Sequence, residues 1–572
     1  MTKERNHPAG LYILFFTEMW ERFGFYLMLG IFTLYMIAPE SNAFPGLGMT
    51  NAGAADIYGT YLALVYLTPF IGGLLADRLI GYRVSIYIGG LLMAAGYLGM
   101  AIPNSMPAFY ISLLLIILGN GMFKPNISVL LGKLYETPEF EHKKDAGFNI
   151  FYMGINIGAF VCNFVAAYLR LTYGWGWAFA AAGVGMLIGV IWFAVGNFYT
   201  PEIKKADVIS PKRPEDKSIT RLLGSLLLPA FGAAAIGWII PGNFAGSDST
   251  DAFIFFCLPV LVFFLNIWRT ASSNEKEPIA ALLAIFGVVI IFWAVFHQNG
   301  SALTYWAKYN TDRALSPTTA KVINSISSTE EVSTVYRTKE LTGLHGEVLG
   351  EEEGPSYYFD NYSADLPVGN LDGKPGDISE AEWQKINESD KAKAGKITLW
   401  PTELQASINP FFVIILTPLV VAFFAFLGRR KKEPSTPGKI TLGMLISAIS
   451  WLVMVLAVIV SGNGADKAST IWLFGIYGVI TFGELCLSPM GLSIVSKMAP
   501  KRLAALLMGG WFLSTAIGNK LSGVLSGLWD AFDNKANFFL VNAGLTFAAF
   551  LVILFILPWL NRVYKEAMEK QI

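Results

Sequence analysis

Apolar runs of about twenty residues, separated by short polar turns, recur from one end of the chain to the other. An α-helix rises 1.5 Å per residue, so a run of that length crosses a hydrocarbon layer of about 30 Å. The pattern predicts six spanning helices first, near 11–38, 56–76, 84–102, 108–132, 148–171 and 178–199. A basic linker, Lys204 to Lys217, precedes two more runs near 222–240 and 252–268, which carry almost no interior charge. Without polar groups to line a pathway, these two read as a peripheral helix pair. A ninth run, near 280–301, leads into a polar stretch from Asn310 to Gln405 that is too rich in Glu, Asp, Gly and Ser to span. Five runs close the chain, near 410–427, 440–461, 471–495, 503–525 and 538–560, making fourteen in all. Within the polar stretch, 332–336 and 356–362 read as short strands and 378–386 as a helix.

Composition agrees with the pattern. Of 572 residues, 54% are hydrophobic and 15% charged, which places the chain among all-α polytopic membrane proteins. Lys and Arg balance Asp and Glu at 42 each, so no basic footprint for nucleic acid exists. Cys162, Cys257 and Cys486 all fall in apolar runs, and none has the spacing of a metal site, so neither disulfides nor a metal are expected. Met1 to Gly10 is short and polar, and the run after it lacks a small-residue cleavage site, so it reads as a retained first span. Cations collect in alternate short loops: Arg78 and Arg83, Lys133 to Lys144, Lys204 to Arg221, Arg269 and Lys276, Arg429 to Lys432, Lys497 to Arg502, and the tail. By the positive-inside bias, both termini are cytoplasmic and the Asn310 to Gln405 loop is extracytoplasmic.

The candidate chemistry sits in the first span, where Thr17-Glu18-Met19-Trp20-Glu21-Arg22-Phe23-Gly24-Phe25-Tyr26 interrupts an apolar run. At 100° per residue, Glu18, Glu21 and Arg22 share one face, which Phe25 and Tyr26 continue. An ionisable group at membrane depth costs several kcal/mol unless it is paired or faces water, so that face looks onto a polar cavity. Lys124 and Glu484 are further charges at depth, in other spans. Static ion pairs holding helices together are one reading. The other is that the groups exchange partners, because a carboxylate that loses its cation picks up a proton.

Other motifs join these. Gly73, Asp77, Arg78, Gly81 and Arg83 form Gly-x-x-x-Asp-Arg-x-x-Gly-x-Arg between the second and third spans, and this resembles a loop of the major facilitator superfamily. Glu18-x-x-Glu21-Arg22-Phe23 occurs with Gly121-Met122-Phe123-Lys124-Pro125-Asn126, Asp145-Ala146-Gly147-Phe148 through Asn156-x-Gly158, and Gly483-Glu484-Leu485-x-x-Ser488-Pro489. Together they resemble the proton-coupled oligopeptide transporter family, bacterial type, over all but the polar loop. The resemblance implies a major facilitator fold with an N-terminal six-helix bundle (1–200), a linker and additional helix pair (201–276) and a C-terminal bundle (277–566) interrupted by a loop or small domain (308–405). It implies a symporter that imports di- and tripeptides with protons as the coupling ion and no other cofactor. A monomer surrounded by membrane lipid in the plasma membrane is expected.

By that resemblance Glu18, Glu21 and Arg22 couple protons, and Arg22, Tyr26, Tyr66, Lys124, Asn156, Asn409, Glu484 and Trp511 line the peptide site. From the residues alone, Tyr26, Tyr66 and Trp511 equally read as core aromatics, Asn409 as a helix cap before Pro410, and Asn156 as a bridge between helices. The chain also departs from the family. His297 stands where an acid is usual, and Asn51 where an arginine often faces it. An imidazole changes charge near neutral pH, so His297 is a candidate for both proton coupling and substrate contact, with a neutral hydrogen-bonded histidine as the alternative. Transport of another solute (nitrate or a drug) and non-transporting peptide sensing remain as other functions. No Ser/His/Asp, HExxH or phosphate-loop spacing points to an enzyme.

Overall fold

The computed structural model describes residues 7–40, 44–103, 105–137, 139–140, 143–207, 219–243, 247–342, 348–358, 377–378, 395–462, 467–500 and 503–569. The first bundle holds α1 (Ala9–Ile37), α2 (Asn51–Leu75), α3 (Tyr82–Met100), α4 (Met106–Leu134), α5 (Lys144–Tyr173) and α6 (Trp175–Tyr199). A short α7 (Pro201–Ala206) leads to the pair α8 (Ile219–Ile239) and α9 (Asp248–Thr270). The second bundle begins with α10 (Ser273–Phe296), followed by α11 (Ala302–Tyr309) and, in the polar stretch, α12 (Pro317–Ile326). It continues with α13 (Ile408–Arg429), α14 (Thr436–Val460), α15 (Ile471–Met498), α16 (Ala504–Gly527) and α17 (Lys535–Glu569).

Among the described residues, eleven helices are long and apolar enough to cross a membrane. With α1 and α16, which are less apolar, and α8, whose apolar part Gly224–Ile239 is shorter, the described residues hold fourteen long helices, as two bundles of six plus one pair. This is a multi-pass membrane protein with the major facilitator arrangement. Helices start where a hydroxyl satisfies an unpaired amide: Thr50 accepts from Gly53 N, Ser105 from Ala108 N, and Ser435 from Gly438 N. The helix at 51 begins five residues before its apolar run because Thr50 caps it there. Glycine lets backbones touch: a Cβ on Gly72 of α2 would lie 2.0 Å from the Gly121 carbonyl of α4.

The polar stretch carries a four-stranded sheet in the order β4-β3-β2-β5, from β2 (Glu330–Thr342), β3 (Val348–Tyr358), β4 (Asp377–Ile378) and β5 (Gly395–Leu399). β2 runs antiparallel to β3 and β5, with Val335 opposite Ser356. The strand expected at 332–336 lies inside β2. That expected at 356–362 meets β3 only to Tyr358, and 359–362 lie outside the described residues. The helix expected at 378–386 is not found at Ile378, which is in β4, and 379–386 lie outside the described residues. A minimal parallel pair joins β1 (Thr311–Asp312) to β6 (Ala468–Ser469), tying the start of the stretch to the loop before α15.

Among the contacts between the two bundles, α2 meets α16 and α5 meets α13 and the turn Thr402–Ser407. A Cβ on Gly59 would lie 2.7 Å from Gly523 Cα. These contacts are at the end of the molecule that carries the polar stretch, called below the loop-bearing end.

Candidate functional site

Glu18, Glu21 and Arg22 are 3%, 0% and 2% exposed, so the charged face of α1 is turned into protein and not toward lipid. Arg22 Nη2 donates to Glu21 Oε1 at 2.7 Å, Arg22 Nε contacts Glu21 Oε2, and Glu18 Oε1 lies 3.1 Å from Nε. From α4, Asn120 Nδ2 donates to Glu21 Oε1 at 3.4 Å. Glu18 Oε2 is buried with no hydrogen-bond partner among the described residues. One turn along α4, the Lys124 ammonium lies 4.1 Å from the centroid of the Tyr66 ring and interacts electrostatically with Arg22, Glu21 and Glu18. It has no carboxylate at salt-bridge distance among the described residues. Two acids and two bases thus form one cluster whose formal charge is zero when all four are ionised.

The second bundle presents Glu484 on α15. Asn409, in the first turn of α13, donates to Glu484 Oε2 at 3.1 Å and to Thr481 Oγ1 at 2.8 Å, which fixes the carboxylate and leaves its other oxygen open. Tyr26 interacts electrostatically with Tyr66, Arg22, Tyr152 and Glu484; Tyr66 interacts with Arg22 and Glu484, and Tyr152 with Glu484. Tyr26 and Tyr66 therefore lie within electrostatic reach of both Arg22 in one bundle and Glu484 in the other, and Tyr152 of Glu484. The arrangement offers cations on one bundle, an anion on the other and hydroxyl-bearing rings near both, the complement of a short zwitterion.

His297 follows α10 in a 3-10 turn and is 8% exposed. Its Nδ1 lies 3.3 Å from the Trp293 carbonyl, which only accepts, so Nδ1 carries the hydrogen of that contact. Its ring packs edge-on to Tyr66 at 6.0 Å, Asn519 lies beside it, and Lys124 is its charged neighbour. Asn51 is far from this pairing: its amide donates to the Asp530 carboxylate at 3.2 and 3.3 Å.

Asn156 donates to the Tyr152 carbonyl of its own helix at 2.9 Å. Trp511 is 3% exposed and lies against Phe286 and Gly491, where a Cβ would come within 1.8 Å of its ring. In this conformation both are held by their own bundles. At the opposite end, Asp77 Oδ1 accepts from Tyr82 Oη at 2.5 Å, Gly73 packs against Pro125, and Gly81 has a φ of +80°, which favours glycine. Asp207 accepts from the Tyr82 and Arg83 amides at 2.8 and 3.4 Å, capping α3. The Arg78 and Asp145 side chains lie outside the described residues.

Two ion pairs between the bundles were not anticipated. Arg170 of α5 donates to Glu403 through Nε at 2.6 Å and Nη2 at 2.9 Å, with both side chains at most 2% exposed. Lys520 of α16 donates to Asp56 of α2 at 2.5 Å. Both join the bundles at the loop-bearing end. Lys520 sits inside an apolar run, the same signal that exposes Arg22; Arg170 sits at a span's end, where a lone cation reads as snorkelling to the surface.

A sequence profile described as the POT family matches residues 83–327 and 388–545. The chain is 30% identical to an uncharacterized transporter, YclF, of Bacillus subtilis over 99% of this chain and 96% of that one. It is 27% identical to a di-/tripeptide transporter of Lactococcus lactis subsp. cremoris over 96% and 95%. A crystal structure of a mutant peptide transporter POT in complex with alafosfalin superposes with a TM-score of 0.72 at 28% identity, covering 98% of this chain and 97% of that one. A POT family transporter crystallised with 5-aminolevulinic acid gives 0.72 at 25% identity, covering 97% of each chain.

Proposed function

The chain belongs to the POT family, and from that premise we propose that it is a proton-coupled symporter that imports di- and tripeptides by alternating access. It is a transporter and not an enzyme. The observation that carries the peptide reading is the opposition of the Arg22 and Lys124 cations in one bundle to the Asn409-held Glu484 in the other, with Tyr26, Tyr66 and Tyr152 between them. Di-/tripeptide transporters among the relatives support it.

The steps follow from the cluster's charge. With all four groups ionised, Arg22 is held by Glu18 and Glu21, and of the cluster's two cations Lys124 is the one without a carboxylate at salt-bridge distance among the described residues. A proton arriving at the open Glu18 oxygen, or at Glu21, leaves the cluster at +1 and releases the guanidinium to the peptide carboxylate. The peptide ammonium meets Glu484, and Asn156 and Trp511 approach the ligand as the bundles rock. His297 takes part as a second titrating group beside Lys124 and Tyr66. The moving units are the halves 1–200 and 277–566. Short-loop cations put both termini in the cytoplasm and the 308–405 loop outside, so the conformation described is closed on its outer side. The protein works as a monomer in the plasma membrane, in lipid, with the proton as its coupling ion and no cofactor.

Uptake of labelled dialanine into proteoliposomes, with and without an inward proton gradient, tests this. Gradient-dependent accumulation is expected. Binding without accumulation would make the protein a sensor, and accumulation of nitrate alone would overturn the peptide assignment.

A further inference from the structure

The α8–α9 pair carries no charge in its apolar interior and reads as a spacer, yet its tip is wired into an ion pair between the two bundles. Ser247 caps α9, accepting from Thr250 N at 3.2 Å. The Ser247, Ser249 and Thr250 hydroxyls donate to the Asp56 carboxylate at 3.1, 2.6 and 3.3 Å. Lys520, 1% exposed, donates to Asp56 at 2.5 Å, to Thr60 at 2.8 Å and to Ser249 Oγ at 2.7 Å. First bundle, second bundle and helix pair therefore share one node at the outer end. α9 packs on α10 and α16 of the second bundle, where a Cβ on Gly510 would meet the Phe264 ring at 3.1 Å, and on α2 of the first. The α9 tip reaches across to Asp56 of the first bundle.

We propose that the α8–α9 pair is a working part of the outer gate: its hydroxyl clasp holds Asp56 where Lys520 pairs with it, and thereby favours the outer-closed state. The arrangement suits that role. Asp56 lies at the amide-bearing start of α9, which favours a carboxylate. Ser249 bridges both charges, so the buried Lys520 meets an acceptor as well as its counter-ion. When the bundles part, Asp56 leaves the three hydroxyls together with Lys520, and all four contacts break at once. The clasp is a set of positioning residues and touches no substrate. It rests on the alternating-access reading, and it is tested without substrate.

Double electron–electron resonance on the full chain in lipid nanodiscs, with spin labels at Ala52 and Asp533, reads the separation of the outer ends; both positions are exposed. Loss of one hydrogen bond to a charged group is expected to raise the open fraction about tenfold. Ser249→Ala and Ser247→Ala/Ser249→Ala are expected to add that longer-distance population, and Ser249→Thr, which keeps a hydroxyl, to retain the parental distribution. Lys520→Met, which removes the ion pair itself, shows that the labels report the gate. If it opens the outer ends while both serine variants remain parental, the clasp plays no part and the proposal falls. It also falls if Ser249→Thr opens the gate as far as Ser249→Ala, since packing and not the hydroxyl would then be responsible. A protein that accumulates no peptide while showing the expected distances would sink the transport reading and leave the clasp standing.

Discussion

Glu21→Gln separates binding from coupling. The amide keeps the shape of the side chain and an oxygen for Arg22 Nη2, now 2.7 Å away, but removes one of the cluster's two negative charges. The remaining sum is +1, the value the native cluster reaches with one proton bound, so the variant is locked in its protonated electrostatic state. Arg22 is not stranded, because Glu18 remains 3.1 Å from its Nε. The folding cost is therefore set below the 3–5 kcal/mol of a fully broken buried pair, at about 1.5–3 kcal/mol for one hydrogen bond to a charged group. The functional cost is larger. One proton moving through 100 mV supplies about 2.3 kcal/mol, enough for about fortyfold accumulation of a neutral solute. In proteoliposomes held at that potential, the parent is expected to approach that ratio with labelled dialanine. The variant is expected to fall to about one while retaining counterflow against internal dialanine. Undiminished concentrative uptake would remove Glu21 from the coupling step, and loss of counterflow with uptake would show that the carboxylate serves binding.

Three further outcomes follow. His297→Gln preserves a hydrogen-bonding side chain but cannot titrate, so the pH profile of dialanine uptake is expected to shift; an unchanged profile would exclude the imidazole from coupling. Arg170→Met leaves Glu403 buried without its bidentate partner, costing about 3–5 kcal/mol, and Arg170→Met/Glu403→Leu should recover part of the lost thermal stability; a double variant no more stable than the single would contradict this. Glu330, in the polar loop, is pushed up by burial, but Arg313 at 2.7 Å and the more distant Arg170 outweigh that and hold its carboxyl below the usual 4.5. A depressed folded value stabilises above pH 4.5 and is lost as pH falls through it, so pepsin cleavage in 308–405 should rise steeply below pH 4.5. Glu330→Gln should flatten that dependence, and an unaltered cleavage profile would show that the anchor does not hold the loop.

The spans were legible in the sequence because bilayer thickness imposes one length on every span. The cluster on α1 was legible for a related reason: charge at membrane depth has few structural excuses. Pairing was harder to read. Asp56 and Arg170 lie near span ends, where a charge reaches water unaided, and only the fold brings Lys520 and Glu403 to them. The α8–α9 pair looked inert because its polar contacts come from hydroxyls in a turn, which leave no trace in a hydropathy pattern. The two-residue strands β1 and β4 in the polar loop, and β6 before α15, are set by long-range partners, and α12, ten residues long and capped by Ser316, is too short for periodicity to single out.

The central claim, that peptide and proton move together through one cavity, is tested most directly by loading proteoliposomes with a pH-sensitive dye, imposing an inside-negative potential and adding dialanine outside. The account predicts internal acidification that begins with the addition of dialanine, saturates with its concentration and disappears in Glu21→Gln. Dialanine entry with no acidification, or acidification that continues unchanged in that variant, would contradict it.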